Sequence, residues 1–503
     1  MQSYLELRGR NPTESLYPLF INRLTGRSTF FHFFAGQDFL FLVIYITVIY
    51  ITLFLCIFNG EKNMKFYNRK EELKVLRTLY RQCATQGKMT VLTGRRRVGK
   101  TLLATEFAQK QPHIYLFISR KSESLLCEEF LREIRQVFDL PVIGQISMFK
   151  EIIQLLLELS LKKHFTLIVD EFQEFYTINS SVYSDIQNLW DRYKRKSKLN
   201  MIFIGSVYSL MNKIFQDSKE PLFNRADRQL LIKPFPVKEM AKVLKDFEQN
   251  STRTLFDYYV ITGGMPIYID LLATNNAFSL NDILDFILHA NSPLLYEGKN
   301  VLVEEFGKEY NTYFSILSLI ASGKTSRPEI ESILERNIGG YIDRLESDFA
   351  IIGKRTPINA KPGARFVKYH LKDNFLNFWF RFIYRNMSAI ETGNFEYVKD
   401  LINRDYSTYC GPMLEKMFHD LLSTQKQYNK IGTYWDRKSE NEIDIVAVNE
   451  MKKKVFLAEV KLDMGKISIE KLKKKSEKLL LSYREYKTEF KALSMVNIVD
   501  YLK

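Results

Sequence analysis

The sequence predicts an α/β fold built on a mostly parallel sheet, and three observations predict it. The run Thr90-Val-Leu-Thr-Gly94-Arg-Arg-Arg-Val-Gly99-Lys100-Thr101 has the form G-x-x-x-x-G-K-T. It stands between a short β-branched strand pattern and the apolar-periodic helix pattern Leu102, Leu103, Phe107, the context that a phosphate-binding loop requires. A second apolar strand pattern, Phe165-Thr-Leu-Ile-Val, ends in Asp170-Glu171. Between and beyond these stretches, strand patterns alternate with amphipathic helices, the order of a sheet covered on both faces.

Two glycines let the loop backbone curl so that successive N–H groups aim at phosphate oxygens, and the following helix adds the positive end of its dipole. The candidate nucleotide contacts are therefore Gly94, Arg95, Arg96, Arg97, Val98, Gly99, Lys100, Thr101 and Leu102. Lys100 would neutralise the β- and γ-phosphates, and Thr101 would offer its hydroxyl to Mg2+. Next, Ile114 to Ile118 reads as a strand, and 123–138 and 147–161 as amphipathic helices. An acid pair after a strand is by itself more often a helix cap. Downstream of a phosphate loop, Asp170 is the expected water-mediated Mg2+ contact and Glu171 the water-activating carboxylate. The strand Met201-Ile-Phe-Ile-Gly-Ser206 ends in a hydroxyl, so Ser206 is either a γ-phosphate sensor or a turn serine. The stretch Pro221-Leu-Phe-Asn-Arg225-Ala-Asp-Arg228 offers Arg225 or Arg228 as an arginine finger toward a neighbouring subunit of a homo-oligomer; a solvated arginine is the plainer reading.

Composition sets wider bounds. At 503 residues the chain exceeds one core, and about three domains are expected. The formal charge of +15 points to a polyanionic partner, nucleic acid or an acidic membrane surface, although the basic residues are spread along the chain. Cys56, Cys83, Cys127 and Cys410 form no C-x-x-C pair, which excludes a zinc ribbon or disulfide framework and fits a reducing compartment. Any metal must then be held by carboxylates.

Residues Phe39 to Phe58, FLFLVIYITVIYITLFLCIF, carry no charge and are long enough to cross ~30 Å of hydrocarbon as a transmembrane helix. Lys62, Lys65, Arg69, Lys70 and Lys74 follow the run, so the positive-inside rule keeps the C-terminal part in the cytoplasm. A second reading takes Met64 as the natural beginning and residues 1–63 as an upstream translation extension. One span cannot build a transport pathway, so simple membrane transport is disfavoured.

Together, GRRRVGKT, LIVDEF, IFIGS, the Pro221-Leu-Phe-Asn-Arg225 stretch and Thr262-Gly-Gly-Met-Pro266 resemble the archaeal-type ATPase family, a branch of the AAA+ and STAND-like P-loop NTPases, across residues 64–503. The resemblance implies ATP and Mg2+ as cofactors, an ATPase domain over 64–235, and a helical lid over 236–305. Within 306–400, the helix patterns Tyr313 to Ala321, Arg327 to Leu334 and Gly340 to Phe349 precede two strand patterns, the order of a winged helix. Its third helix offers Tyr341, Arg344 and Glu346, but Asp343 and Asp348 dilute the charge, so protein contact is as good a reading as DNA binding. The aromatic run Phe375-Leu-Asn-Phe-Trp-Phe-Arg-Phe382 reads as packing.

The last unit is 401–503. Glu442-Ile-Asp444-Ile-Val-Ala-Val448 and Val455-Phe-Leu-Ala-Glu459-Val-Lys461 read as strands. An acid on an apolar strand needs a partner or a metal, and Glu459 and Lys461, two apart, share a face. A salt-bridged surface hairpin explains so short a pattern too. With a helical Glu415 upstream, the pattern resembles the PD-(D/E)xK nuclease superfamily, although Ile443 stands where the naming proline would be. That resemblance implies a second Mg2+ held by Asp444 and Glu459, a water oriented or activated by Lys461, and a helix carboxylate from Glu415. The expectation is an ATPase whose nucleotide cycle controls a DNA-binding or nuclease-like domain. The alternative is an ATP-dependent switch whose C-terminal domain only binds a partner, with or without a membrane anchor.

Overall fold

A computed structural model describes residues 65–140, 144–306, 310–361, 363–364, 366–436 and 440–502. The apolar run 39–58 lies outside the described residues; among those described, no helix is long and apolar enough to cross a membrane.

Strands β1 (Lys88–Thr93), β2 (His113–Phe117), β3 (Phe165–Asp170), β4 (Leu199–Ile204) and β5 (Arg228–Leu231) form a parallel sheet in the order β2-β3-β4-β1-β5. β3 and β4 are buried at every residue, which is why each reads as a continuous apolar run rather than an alternation. The pleat still sorts them. Leu167, Val169, Met201 and Phe203 face one core, with Phe130, Ile152 and Trp190 of α3 (Glu123–Phe138), α4 (Phe149–Ser160) and α5 (Ser181–Tyr193). Ile168, Ile202 and Ile204 face the other, with Leu76 and Leu103 of α1 (Lys70–Gln82) and α2 (Lys100–Ala108). Because β4 lies between β1 and β3, the loop after β1, the acids ending β3 and Ser206 beyond β4 share one edge of the sheet.

After α6 (Tyr208–Gln216) and β5 the chain is helical: α7 (Val237–Asp246), α8 (Thr252–Thr262), α9 (Pro266–Thr274), α10 (Leu280–Ile287) and α11 (Glu297–Phe306). Gly263 and Gly264 separate α8 from α9 at φ 60° and 78°, and a Cβ on Gly264 would lie 2.3 Å from the Phe235 carbonyl oxygen. Three helices follow, α12 (Tyr310–Ala321), α13 (Arg327–Leu334) and α14 (Gly339–Ser347), and then β6 (Ile352–Arg355) paired antiparallel with β7 (Lys368–Leu371). The aromatic run begins in α15 (Asn374–Phe378) and is core: Trp379 is fully buried and its indole N–H donates to the Leu295 carbonyl at 2.9 Å.

The long helix α16 (Phe395–Gln425) leads into a four-stranded sheet of β8 (Lys430–Trp435), β9 (Glu442–Asn449), β10 (Lys454–Val460) and β11 (Lys487–Leu493), in the order β11-β10-β9-β8. β10 and β11 are parallel, joined by the crossover helix α17 (Ile469–Leu480); the other pairs are antiparallel. One hydrophobic cluster runs from α1 and α2 through the middle helices to α16 and Ile445 of β9, so the two halves share a core.

Candidate functional site

The loop after β1 is held in a shape that excludes a side chain at its first glycine. Gly94 has φ 144°, and a Cβ there would lie 2.4 Å from the Ile232 carbonyl oxygen. Gly99 caps α2 at φ 87°, and Arg97 has a positive φ of 72°. Lys100 Nζ donates to the Gly94 and Arg95 carbonyl oxygens, both at 2.9 Å. Burial pushes its pKa down to about 8, against the opposing pull of Glu171 and Asp170. A bound phosphate would favour its charged form and compete with those carbonyls.

Along the same sheet edge Thr101 Oγ1 donates to Asp170 Oδ2 at 2.6 Å, and Tyr115 Oη donates to the same oxygen at 2.9 Å. Glu171 has a left-handed φ of 54°; its Oε2 accepts from Ser206 Oγ at 2.6 Å and Gln173 Nε2 at 2.5 Å. Loop, hydroxyl–carboxylate pair and carboxylate–serine pair thus form one line. The oxygen-only donors of Thr101 and Asp170 suit Mg2+, which ordinarily takes one or two protein ligands and completes its shell with phosphate and water. A cavity of about 700 Å3 borders the loop at Gly94 and Arg95, between residues 231–237 and helices α8 and α16. It does not reach Lys100, Thr101 or the acids, so it flanks the phosphate seat rather than forming it.

A second cluster lies where α16 crosses β9 and β10. Asp444 is buried; its Oδ2 accepts from the Val460 backbone N–H at 2.8 Å and from Lys461 Nζ at 3.3 Å. Glu459 Oε1 stands 3.8 Å from Lys461 and 3.4 Å from Lys475 of α17. Burial first, and then the Asp444 carboxylate, raises the Glu415 pKa to about 8. Burial likewise raises Asp444, opposed by its bonds to Val460 and Lys461. Burial works against the Lys461 charge, but attraction to Asp444 prevails and its pKa rises. Among the described residues, no three His, Cys, Asp or Glu side chains converge as a metal cage. A cation here would rest on Asp444 and Glu459 together with ligand oxygens.

Residues 66–272 match a family described as an ATPase domain predominantly from Archaea. Residues 379–477 match a family described as archaeal and bacterial proteins of unknown function. An uncharacterized protein of Methanocaldococcus jannaschii is 31% identical over 408 residues, 79% of this chain and 87% of that protein. The chain belongs to the archaeal P-loop ATPase family. Among solved structures, the Walker-type ATPase of Pyrococcus abyssi is 17% identical, with 63% of this chain and 96% of that one covered at a TM-score of 0.49. The ORC2 protein of Aeropyrum pernix, in complexes with ADPNP and ADP, is 11% identical, with 66% and 96% covered at 0.44.

The remaining expected residues of this ATPase fall in several places. Leu102 is 52% exposed on α2. Arg225 precedes β5 at the opposite end of the sheet from the loop, because β5 runs parallel to β1; it pairs with Asp191 at 3.1 Å and takes no part in its own chain's nucleotide site. On α14, the Arg344 guanidinium lies over the rings of Tyr313 and Phe349, at 5.7 and 5.4 Å, so it is used within its own unit.

Sequence reasoning missed the partners that reach the loop from far downstream. Arg95 Nη1 meets Asp373 Oδ2 at 2.7 Å, and Arg97 Nε meets Glu297 Oε1 at 2.9 Å. It also missed Arg69, which is buried, donates to the Val98 carbonyl at 3.0 Å and lies 5.3 Å from the Phe235 ring centroid. Tyr115 could have been suspected as the polar tip of an apolar strand; the others leave no local pattern.

Proposed function

We propose that ATP hydrolysis at the Gly94–Thr101 loop controls the Glu415, Asp444, Glu459 and Lys461 cluster, and that the cluster cleaves nucleic acid. In this reading Lys100 and the loop amides hold the β- and γ-phosphates, Thr101 and Asp170 hold Mg2+, Glu171 orients the attacking water and Ser206 positions Glu171. The observation that carries the coupling is α16: Glu415 belongs to the cluster, while its neighbour Lys416, and Asp420 on the next turn, border the cavity that begins at Gly94. At the cluster, Mg2+ would neutralise charge developing on a phosphodiester. Lys461 would hold a water or the phosphate beside Asp444. Arg225, remote from its own loop, would serve only at the loop of a neighbouring subunit.

ATP turnover and DNA degradation measured side by side for wild type, Lys100→Ala and Asp444→Ala test this. Lys100→Ala should abolish turnover; Asp444→Ala should abolish degradation and spare turnover. DNA left intact by the wild type with Mg2+ and ATP would sink the cleavage step. A second reading, a non-catalytic C-terminal domain that binds a partner under ATP control, is favoured by the Lys475 contact to Glu459, which makes the cluster partly self-paired. It predicts that Asp444→Ala changes nothing while Lys100→Ala alters partner binding.

A further inference from the structure

A second cavity of about 440 Å3, within the usual size range of ligand pockets, opens between β6, β7, β8 and α16 and shares Lys416 and Asp420 with the cavity that borders the nucleotide loop. Its cations come from three elements: Lys354 and Arg355 from β6, His370 from β7, and Lys416 and His419 from α16. Lys354 is paired with Glu346. Lys416 donates to the Lys372 carbonyl at 2.7 Å and to Asn374. His419 Nε2 donates to the Asp444 carbonyl at 3.0 Å.

Arg355 is half-buried and its guanidinium makes no hydrogen bond or ion pair with any described residue, although its charge acts on Glu415 of α16. His370 Nδ1 is buried and likewise has no hydrogen-bond partner among them. The one acid among the described lining residues, Asp420, accepts from Tyr259 Oη of α8 at 2.6 Å. Gly353 stands across the ladder from His370, and a Cβ there would lie 2.7 Å from the imidazole Cε1; the bare backbone makes room for the ring.

Burial, followed by the charges of Arg355, Lys416, Lys372 and His419, pushes the His370 pKa down to about 3. The buried ring nitrogen is costly without a partner, and the unpaired Arg355 guanidinium beside it leaves a fork free to take an anion. Its place also matters: Glu415 and His419 are one helical turn apart, and His419 is bonded to the backbone of Asp444.

We propose that this cavity is a phosphate-binding site that seats a backbone phosphodiester of a nucleic-acid strand beside the carboxylate cluster, with Arg355 as its principal contact. Guanidinium is the side chain best matched to two phosphate oxygens at once, and Arg355 is the cation here with its fork unused. The inference rests on the reading that the cluster acts on nucleic acid, and it adds the seat that would hold the strand in register.

The test is fluorescence anisotropy of a labelled single-stranded oligonucleotide in EDTA, with the full chain as wild type, Arg355→Ala, Arg355→Lys and the exposed-turn control Lys452→Ala. Inorganic phosphate and AMP are titrated in parallel. Arg355→Ala should weaken oligonucleotide binding about tenfold to a hundredfold. It should also lower the slope of log K against log salt by ~0.7. Arg355→Lys should recover part of the affinity, and Lys452→Ala should stay near wild type. ATP affinity and melting temperature should hold in all variants, which separates lost contact from lost fold.

Oligonucleotide binding that survives Arg355→Ala overturns this inference and leaves the nucleic-acid reading standing. Absence of oligonucleotide binding by the wild type overturns both. Loss of phosphate or AMP binding in Arg355→Ala with oligonucleotide affinity unchanged assigns the cavity to a free phosphate and overturns the strand seat.

Discussion

The contact between Arg95 and Asp373 makes the loop's dependence on the distant half of the chain measurable. The pair is 278 residues apart in sequence and 2.7 Å apart in space, with side chains 20% and 8% exposed. At an effective dielectric constant of about 20 and about 4 Å between charge centres, the attraction is ~4 kcal/mol before desolvation, and a net coupling of about 1–3 kcal/mol remains. Asp373 has a second task, since its Oδ1 accepts from the Leu376 N–H at 3.1 Å and caps α15. Asp373→Asn keeps an acceptor for that cap and removes only the charge. A double-mutant cycle of Asp373→Asn with Arg95→Gln, read by urea unfolding and by ATP turnover, isolates the pair. Each single variant should destabilise the chain, and the double variant should lose clearly less than the sum. Coupling below ~0.5 kcal/mol, with turnover unchanged in every variant, would refute the idea that this contact joins the loop to the downstream helices.

Four further outcomes follow from the same geometry. Lys100→Ala should weaken ATP binding about tenfold to a hundredfold in equilibrium titration, the loss of a charge-assisted contact; affinity within twofold of wild type would contradict the loop assignment. Glu171→Gln should bind ATP normally and hydrolyse it about 10²–10⁴-fold more slowly, whereas Ser206→Ala, which leaves Gln173 on Glu171, should lose much less. Gly94→Ala should cost about 1–3 kcal/mol in unfolding experiments, because the new Cβ meets a backbone oxygen at 2.4 Å; wild-type stability would mean that the loop can move away from Ile232 at little cost. His370 has a folded pKa near 3 against an ordinary 6.5, so the unfolded chain takes the proton first as pH falls. Its contribution to stability is complete above about pH 6.5 and is lost toward pH 3. His370→Gln should therefore lose less stability than wild type over that window, by about 1–3 kcal/mol, and parallel acid unfolding curves would show that the ring carries no such penalty.

The parallel sheet was legible because its signals are local. β3 and β4 are apolar at nearly every position, and the phosphate loop holds its glycines, lysine and threonine within eight consecutive residues. The same locality made Thr101, Asp170, Glu171 and Ser206 visible, although the interposed β4 is what brings them to one edge. Asp373, Glu297 and Lys475 were not visible as partners of Arg95, Arg97 and Glu459, because an ion pair between distant elements imposes no spacing on the sequence. Arg225 is a different case: its motif is local, but which end of the sheet it occupies depends on the direction of β5, which places it away from its own chain's loop. Arg344 was legible as a cation and illegible as one turned onto Tyr313 and Phe349.

Helix α16 gives the proposed coupling a mechanical form. Within five residues it presents Lys416 to the Lys372 carbonyl, His419 to the Asp444 backbone and Asp420 to Tyr259 of α8. A helix stretches little without breaking its own hydrogen bonds, so these contacts tend to move together. Tyr259 is buried on α8, whose next residues lead through Gly263 and Gly264 to Phe235, and Phe235 lies under Arg69 beside the loop carbonyl of Val98. A displacement of α8 must therefore either break the Tyr259–Asp420 bond or carry α16, and with it the backbone of Asp444. The carboxylate cluster takes Glu415 from that helix, and His419 of the same helix bonds to the backbone of Asp444. The burial that raises the pKa of Glu415 thus depends on the position of a helix that also borders the nucleotide-loop cavity.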